Sequence, residues 1–290
     1  MNFDFNEEQT MIMDGIARYI REEYDFDRRR SIIESDSAYS DDVWRQFSEL
    51  GWLSIPFDES YGGFGGHADD LAGVMLELGK GLIIEPYMST VVVFGSLLNA
   101  SNNDSLKEQL IPRIINGQYK GSFAYAEEQS RFEISDVKTS AQKCDDGYKL
   151  NGTKIAVIDA KESDGLIVTA RTGGSQYGAE GISLFLVDTS AEGVAVSSYN
   201  TMDSHSSSTI NLENVFVTEA NLIVHEGEGF RHIESCLPQI LLCLSAEALG
   251  IMEVLNKLTV EYSKTRKQFG APIGSFQALQ HRMVDNFMAF

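Results

Sequence analysis

From Gly229 onward the apolar residues Ile233, Leu237, Ile240, Leu244, Ala248, Ile251, Leu255, Leu258 and Tyr262 follow one another at intervals of 4, 3, 4, 4, 3, 4, 4 and 4. That spacing keeps all of them on one face of an α-helix. A helix of about 35 residues is about 50 Å long, and a stripe of that length needs other helices to cover it. Pro238 is expected to kink this helix or mark its start, and Gly270 and Pro272 to break it. Ser275 is expected to cap a further helix carrying Leu279, Met283 and Phe287. The chain stops at Phe290 inside that apolar pattern, so the expectation is of a larger helical domain cut short.

The first 120 residues also read as helices. Asn6 with Gln9 three residues on forms a capping-box pattern ahead of Ile12, Ile16, Tyr19 and Ile20. A second helix is predicted from Ser40 to Gly51 with Val43, Phe47 and Leu50 on one face, and a third through Leu71, Val74, Met75 and Leu78. Between them lies the glycine-rich loop Tyr61–Gly66. Helical stretches follow at Thr90–Leu98 and Ser105–Ile111, the second disturbed by Pro112. From Gly121 the chain turns rich in Val, Ile, Thr, Tyr and Phe, punctuated by Asp145-Asp146-Gly147, Asn151-Gly152 and Gly173-Gly174. These are turn signals between short strands. The predicted strands are Ser122–Ala126, Lys138–Lys143, Lys154–Ile158, Gly165–Arg171, Ser183–Asp188 and Thr209–Phe216. An α+β fold in three parts results: an N-terminal helical domain over 1–120, a middle antiparallel β domain over 121–225 and the start of a C-terminal helical domain over 226–290.

Charge narrows the function. With 23 Lys+Arg against 43 Asp+Glu the net charge is −20, which excludes a surface built to neutralise nucleic-acid phosphates and disfavours an anionic membrane. A few local arginines would still suffice for a phosphate-bearing cofactor. The chain has no uninterrupted apolar run of spanning length and no signal-like N-terminus, so a cytoplasmic protein is expected. Cys144, Cys236 and Cys243 read as free thiols; the last two are seven residues apart on one helix, about 10 Å along its axis and too far for a disulfide. The five histidines show no metal-ligand spacing, and no metal site is expected.

The order helical, β, helical, together with the run Arg266-Lys267-Gln268-Phe269-Gly270, Phe276-Gln277 and Gln280-His281, resembles the acyl-CoA dehydrogenase family over essentially the whole chain. The loop Tyr61–Gly66 and the Glu77–Gly79 pattern fit the same family. Within it the words AYAEEQSRFE, ISLFLVD and KTRKQFGAPIGSFQ look most like the small subunit of pimeloyl-CoA-type dehydrogenases. The resemblance implies the acyl-CoA dehydrogenase fold, FAD as cofactor and α,β-desaturation of an acyl-CoA thioester. In that reaction a carboxylate removes the α-proton while hydride leaves Cβ for the flavin, and hydrogen bonds polarise the thioester oxygen. It also implies a larger acyl-CoA dehydrogenase subunit or a second copy as partner, in a dimer or tetramer, and an electron-transferring flavoprotein as acceptor.

Carried over residue by residue, the resemblance divides the cofactor site. The family's flavin-contact word falls on Ala126–Glu133 and its following Lys-Thr on Lys138-Thr139, without a gap. Tyr125, Ala126, Phe132 and Ile158 then occupy the flavin-ring positions, but Ala126 stands for a Thr, Phe132 for a Ser, and Ala156 and Ile158 for an aromatic and a hydroxyl. Arg266, Gln268, Phe269 and Gln277 match the residues that reach the ADP portion of FAD in a neighbouring subunit. The usual catalytic Glu belongs to a loop beyond Phe290, and the alternative helix positions are Ile240 and Leu241, so no catalytic base is assigned. Glu247 is better read as a surface or interhelical hydrogen-bonding group. Arg131 is a candidate for the distal carboxylate of a dicarboxylyl substrate, and Arg28-Arg29-Arg30 reads as a solvated helix end rather than a CoA-phosphate site. Two functions remain open: an FAD-dependent dehydrogenase subunit whose base lies beyond Phe290, or a non-catalytic partner that completes the FAD site of a catalytic one; a stand-alone acyl-CoA binding module rests on fold analogy alone.

Overall fold

The computed structural model describes residues 5–35, 37 and 39–290. Contacts divide them into two compact units, one comprising the chain up to Arg29 with Ala72–Ile83 and Leu242–Phe290, the other Arg30–Leu71 with Ile84–Leu241.

In the first unit, helix α1 (Glu7–Glu23) opens on the expected capping box: Asn6 Oδ1 accepts the Gln9 N–H at 2.8 Å and Gln9 Oε1 accepts the Asn6 N–H at 2.9 Å. A second helix, α2 (Phe26–Ile33), follows at once, and Arg29 Nε donates to the Leu82 carbonyl at 2.6 Å. The C-terminal parts of α4 (Ala68–Lys80) and α7 (Gly229–Thr265) meet backbone to backbone. A Cβ on Gly79 would lie 2.3 Å from the carbonyl oxygen of Glu247, and one on Gly250 2.0 Å from that of Leu76. Each glycine removes the side chain where the other helix passes, which lets the two axes approach more closely than any pair of side chains allows. Lys80 ties the crossing with ion pairs to Glu77 at 2.8 Å and Glu253 at 3.1 Å.

Helix α7 runs 37 residues through Pro238, so the proline does not mark its start. Proline removes one hydrogen bond from the ladder; the buried residues Ile233, Cys236 and Ile240 on the same stretch supply the packing that offsets it. Beyond it, Ser275 does not cap the last helix: its Oγ donates to the Pro272 carbonyl at 2.7 Å within a short 3-10 turn, and α8 (Gln277–Ala289) begins after Phe276.

The second unit holds α3 (Asp41–Glu49, capped by Ser40), a buried π-helix over Met88–Phe94 continuing into α5 (Gly95–Asn99), and α6 (Asp104–Ile115). Asn103 caps α6, which continues past Pro112 rather than stopping at Ile111. His232, near the start of α7, hydrogen-bonds the Leu97 carbonyl at 2.7 Å.

Its sheet has seven strands: β1 (Gly121–Ala124), β2 (Ser140–Cys144), β3 (Gly147–Ile158), β4 (Gly165–Arg171), β5 (Ile182–Asp188), β6 (Val194–Asn200) and β7 (Ser206–Val217). The order is β1-β4-β2-β3-β7-β6, with β5 along the other side of β4. Pairing is antiparallel except where β1 and the first residue of β2 share one side of β4, and there it is parallel. Strand β4 is buried on both faces and reads as one apolar run, as a central strand should. Asn151-Gly152 does not end a strand. It sits at a register shift inside the 12-residue β3, where a Cβ on Gly152 would fall 2.4 Å from Thr139 Oγ1. The core between these strands is Tyr148, Leu150, Val157, Leu166, Val168, Phe185, Ile210 and Val215.

Candidate cofactor-contact site

The flavin-ring candidates belong to the second unit: Tyr125 and Ala126 follow β1, Phe132 lies in the loop between β1 and β2, and Ile158 ends β3. Tyr125, just past β1, is 39% exposed and stacks on Phe123 with centroids 5.1 Å apart. The Ala126 carbonyl accepts the Ile155 N–H at 2.9 Å, which lays the turn against β3. A second register shift follows Lys154, with Ala156 at φ +52. A bulge of this kind re-aims the following side chains; here Val157 is buried and Ile158 is 44% exposed. Arg131 at φ +48 precedes Phe132, whose ring is 98% exposed. Ala126, Phe132 and Ile158 thus present hydrocarbon and no side-chain hydrogen-bonding group.

Beneath that surface is a pair that sequence reasoning did not single out. Lys154 points inward from β3 and is fully buried, donating to Glu127 Oε1 at 2.7 Å, Thr169 Oγ1 at 2.7 Å and the Tyr125 carbonyl at 3.3 Å. The Glu127 carboxylate also accepts the main-chain N–H groups of Lys138 at 2.8 Å and Thr139 at 3.0 Å, and Gln129 Nε2 at 2.9 Å. Burial alone would raise the Glu127 carboxyl, but the Lys154 charge and these donors outweigh it and hold the group at about 2. Burial lowers Lys154 to about 8, with Glu127 opposing the shift. Both groups are charged at neutral pH, and together they fix the turn that carries Tyr125 and Ala126.

The ADP-side candidates belong to the first unit. Lys267-Gln268 (β8) and Ala271-Pro272 (β9) pair as a two-residue hairpin, with Phe269 at φ +54 and Gly270 at φ +80 between them. Positive φ at both positions is the type I′ geometry. A bulky aromatic there is an outlier, and the Phe269 ring is 94% exposed, touching Phe276 edge-on at 6.2 Å. Arg266, Gln268 and Gln277 are exposed around it, and the Ile273 N–H donates to the Arg266 carbonyl at 2.8 Å.

Elsewhere, Ser89 Oγ donates to Asp159 Oδ2 at 2.6 Å and His205 Nδ1 lies 3.8 Å from Asp159 Oδ1. Serine and histidine both address the carboxylate, which is not the relay a nucleophile needs. Among the described residues no cluster of three or more His, Cys, Asp or Glu could hold a metal.

Models of the acyl-CoA dehydrogenase N-terminal, middle and C-terminal domains match residues 6–118, 122–215 and 227–287. The chain is 31% identical over 293 residues to the probable acyl-CoA dehydrogenase YngJ of Bacillus subtilis, covering 99% of this chain and 77% of that protein. Among solved structures, the FAD complex of PigA superposes with a TM-score of 0.91 at 26% identity, over 99% of this chain and 76% of that one. The ChsE4–ChsE5 complex from Mycobacterium tuberculosis gives 0.88 at 25% identity, over 99% and 75%. Helical, β and helical domains in this order along the chain are those of flavoprotein oxidoreductases of the dehydrogenase type. The chain belongs to the acyl-CoA dehydrogenase family. Helix α7 is long and apolar enough to cross a membrane by length and composition, which uninterrupted runs had not suggested; the matched C-terminal domain takes in all of it and accounts for it as a domain helix.

Proposed function

We propose that the chain is a subunit of an FAD-dependent acyl-CoA dehydrogenase that desaturates the Cα–Cβ bond of an acyl-CoA thioester. We further propose that it serves the complex by lending Arg266, Gln268, Phe269 and Gln277 to the ADP end of FAD held by a neighbouring subunit. The hairpin carries this reading. An aromatic residue held at positive φ with its ring in water gains little within its own chain, so it is a group offered to something else.

The two groups of candidate residues fit FAD differently. The hairpin supplies cationic and amide donors beside an aromatic face, a set suited to a pyrophosphate and adenine. The ring-side surface of Ala126, Phe132 and Ile158 does not fit an isoalloxazine ring. Its side chains would offer the ring's nitrogen and oxygen atoms only hydrocarbon, and each buried polar atom left unpaired costs about 1–3 kcal/mol. A non-catalytic partner of a flavin-bearing subunit is therefore favoured over a self-sufficient enzyme. A larger homologous subunit is the proposed partner, and a family structure made of ChsE4 with ChsE5 supports such pairing. An electron-transferring flavoprotein as acceptor, a cytoplasmic location, the division at residues 120 and 225, and Arg131 as contact for a substrate's distal carboxylate belong to the same proposal.

Replacing Arg266 or Phe269 by Ala in the assembled complex tests it. Affinity for FAD is expected to fall at least about tenfold, the effect of losing roughly 1.4 kcal/mol, with assembly on size-exclusion chromatography unchanged. Full FAD retention by both variants would contradict the role given to the hairpin.

A further inference from the structure

Arg171, the last residue of β4, spends every N–H of its guanidinium on a main-chain carbonyl. Nε donates to Val137 at 3.2 Å, Nη1 to Gly178 at 3.0 Å and Glu180 at 2.9 Å, and Nη2 to Ser135 at 2.8 Å and Gln176 at 2.8 Å. Five donors in a rigid planar fork meet five acceptors drawn from two loops. One is the segment that follows the flavin-contact word; the other, over residues 172–181, connects β4 to β5. The loops also brace each other directly: the Val137 N–H donates to the Gln176 carbonyl at 3.1 Å and Gln176 Nε2 to Asp136 Oδ1 at 2.7 Å.

The first loop is thus clamped at both ends. Glu127 and Lys154 hold its beginning, Arg171 holds its end, and Gln129 bridges the two through Glu127 and Asp136. Only the tip between the clamps projects, and it carries Arg131 at positive φ and the exposed Phe132. We infer that Arg171 is a positioning residue: with its guanidinium donors all taken by main-chain carbonyls, it fixes the path of residues 133–137 and couples that path to the 172–181 loop. The orientation of Arg131 and Phe132 toward whatever they meet then depends on a side chain at the end of a different strand. A lysine cannot substitute, because three donors on one nitrogen cannot reach five carbonyls set around a plane.

This inference uses the family site of the proposed function only to say what the loop faces; its test reads the loop itself. Amide hydrogen exchange is measured on the complete chain, wild type against Arg171→Ala and Arg171→Lys. Exchange in residues 129–137 and 172–181 is expected to speed up at least about tenfold in both variants, with Val194–Asn200 of β6 unchanged. In Arg171→Ala the protection should return with millimolar guanidinium and not with ammonium. If Arg171→Ala does not fold, Arg171→Lys decides by the same criterion. Unchanged exchange in both loops of the folded variants overturns the inference, as does an equal rise in β6, which would mean general loosening. Because exchange needs no flavin, failure of the flavin proposal leaves this outcome readable. Where FAD does bind in the complex, a raised KM for acyl-CoA with kcat retained is the matching kinetic sign.

Discussion

Glu127 and Lys154, 27 residues apart in sequence, form an ion pair of 2.7 Å with both side chains buried beneath the turn that bears Tyr125 and Ala126. Two charges so placed are tolerated only because each has further partners, and removing one leaves the other uncompensated.

Glu127→Ala is therefore expected to cost about 3–5 kcal/mol, more than Lys154→Met and Glu127→Leu made together. Urea unfolding of the three proteins measures this. A double variant no more stable than Glu127→Ala would show that the pair is not the source of the loss.

The same carboxyl sets an acid limit. Its folded value near 2 lies below the ordinary 4.5, so the unfolded chain binds the extra proton between those values. The stability it contributes is full above about pH 4.5 and is lost as the pH falls toward 2. Thermal melts over that range should fall steeply for wild type and more gently for Glu127→Gln; parallel slopes would contradict the assignment.

At the α4–α7 crossing, Gly250→Ala places a methyl where the Leu76 carbonyl oxygen already lies, 2.0 Å from the new Cβ. The helices must separate or tilt, at a cost of about 1–3 kcal/mol or more, although alanine is the better helix former. A gain in melting temperature would show that the helices do not approach this closely.

The thiols should separate by burial. Desolvation raises Cys236 and pushes Cys243 up to about 12, while Cys144 sits half-buried at the end of β2. A thiol reagent at neutral pH should modify Cys144 first and reach the other two only on unfolding. Equal reactivity of all three would contradict the packing of α7.

Much of this architecture was readable wherever local pattern and tertiary need agreed. The stripe from Ile233 to Tyr262 became one helix, Asn6 and Gln9 closed their box, and β4 has the predicted ends Gly165 and Arg171. Departures arose where packing overrode a local signal. Pro112 and Pro238 lie inside helices whose buried neighbours hold them there, and Asn151-Gly152 marks a bulge because Thr139 presses on the strand. Strand β6 escaped notice because it is an edge strand exposed along most of its length and shows no alternation. The flavin word and the hairpin word were legible as words; the work of Lys154 and Arg171 was not. A lysine or arginine in a strand reads as a solvated charge until distant loops are brought over it.

The central claim is that this subunit offers a cofactor contact to a neighbour and does not hold the flavin ring itself. Absorbance at 450 nm of the purified chain, alone and co-expressed with a larger homologous subunit, tests it most directly. The account predicts a colourless chain without acyl-CoA turnover when alone, and a yellow, active complex. A stoichiometric flavin band together with dye-coupled turnover from the lone chain would contradict it.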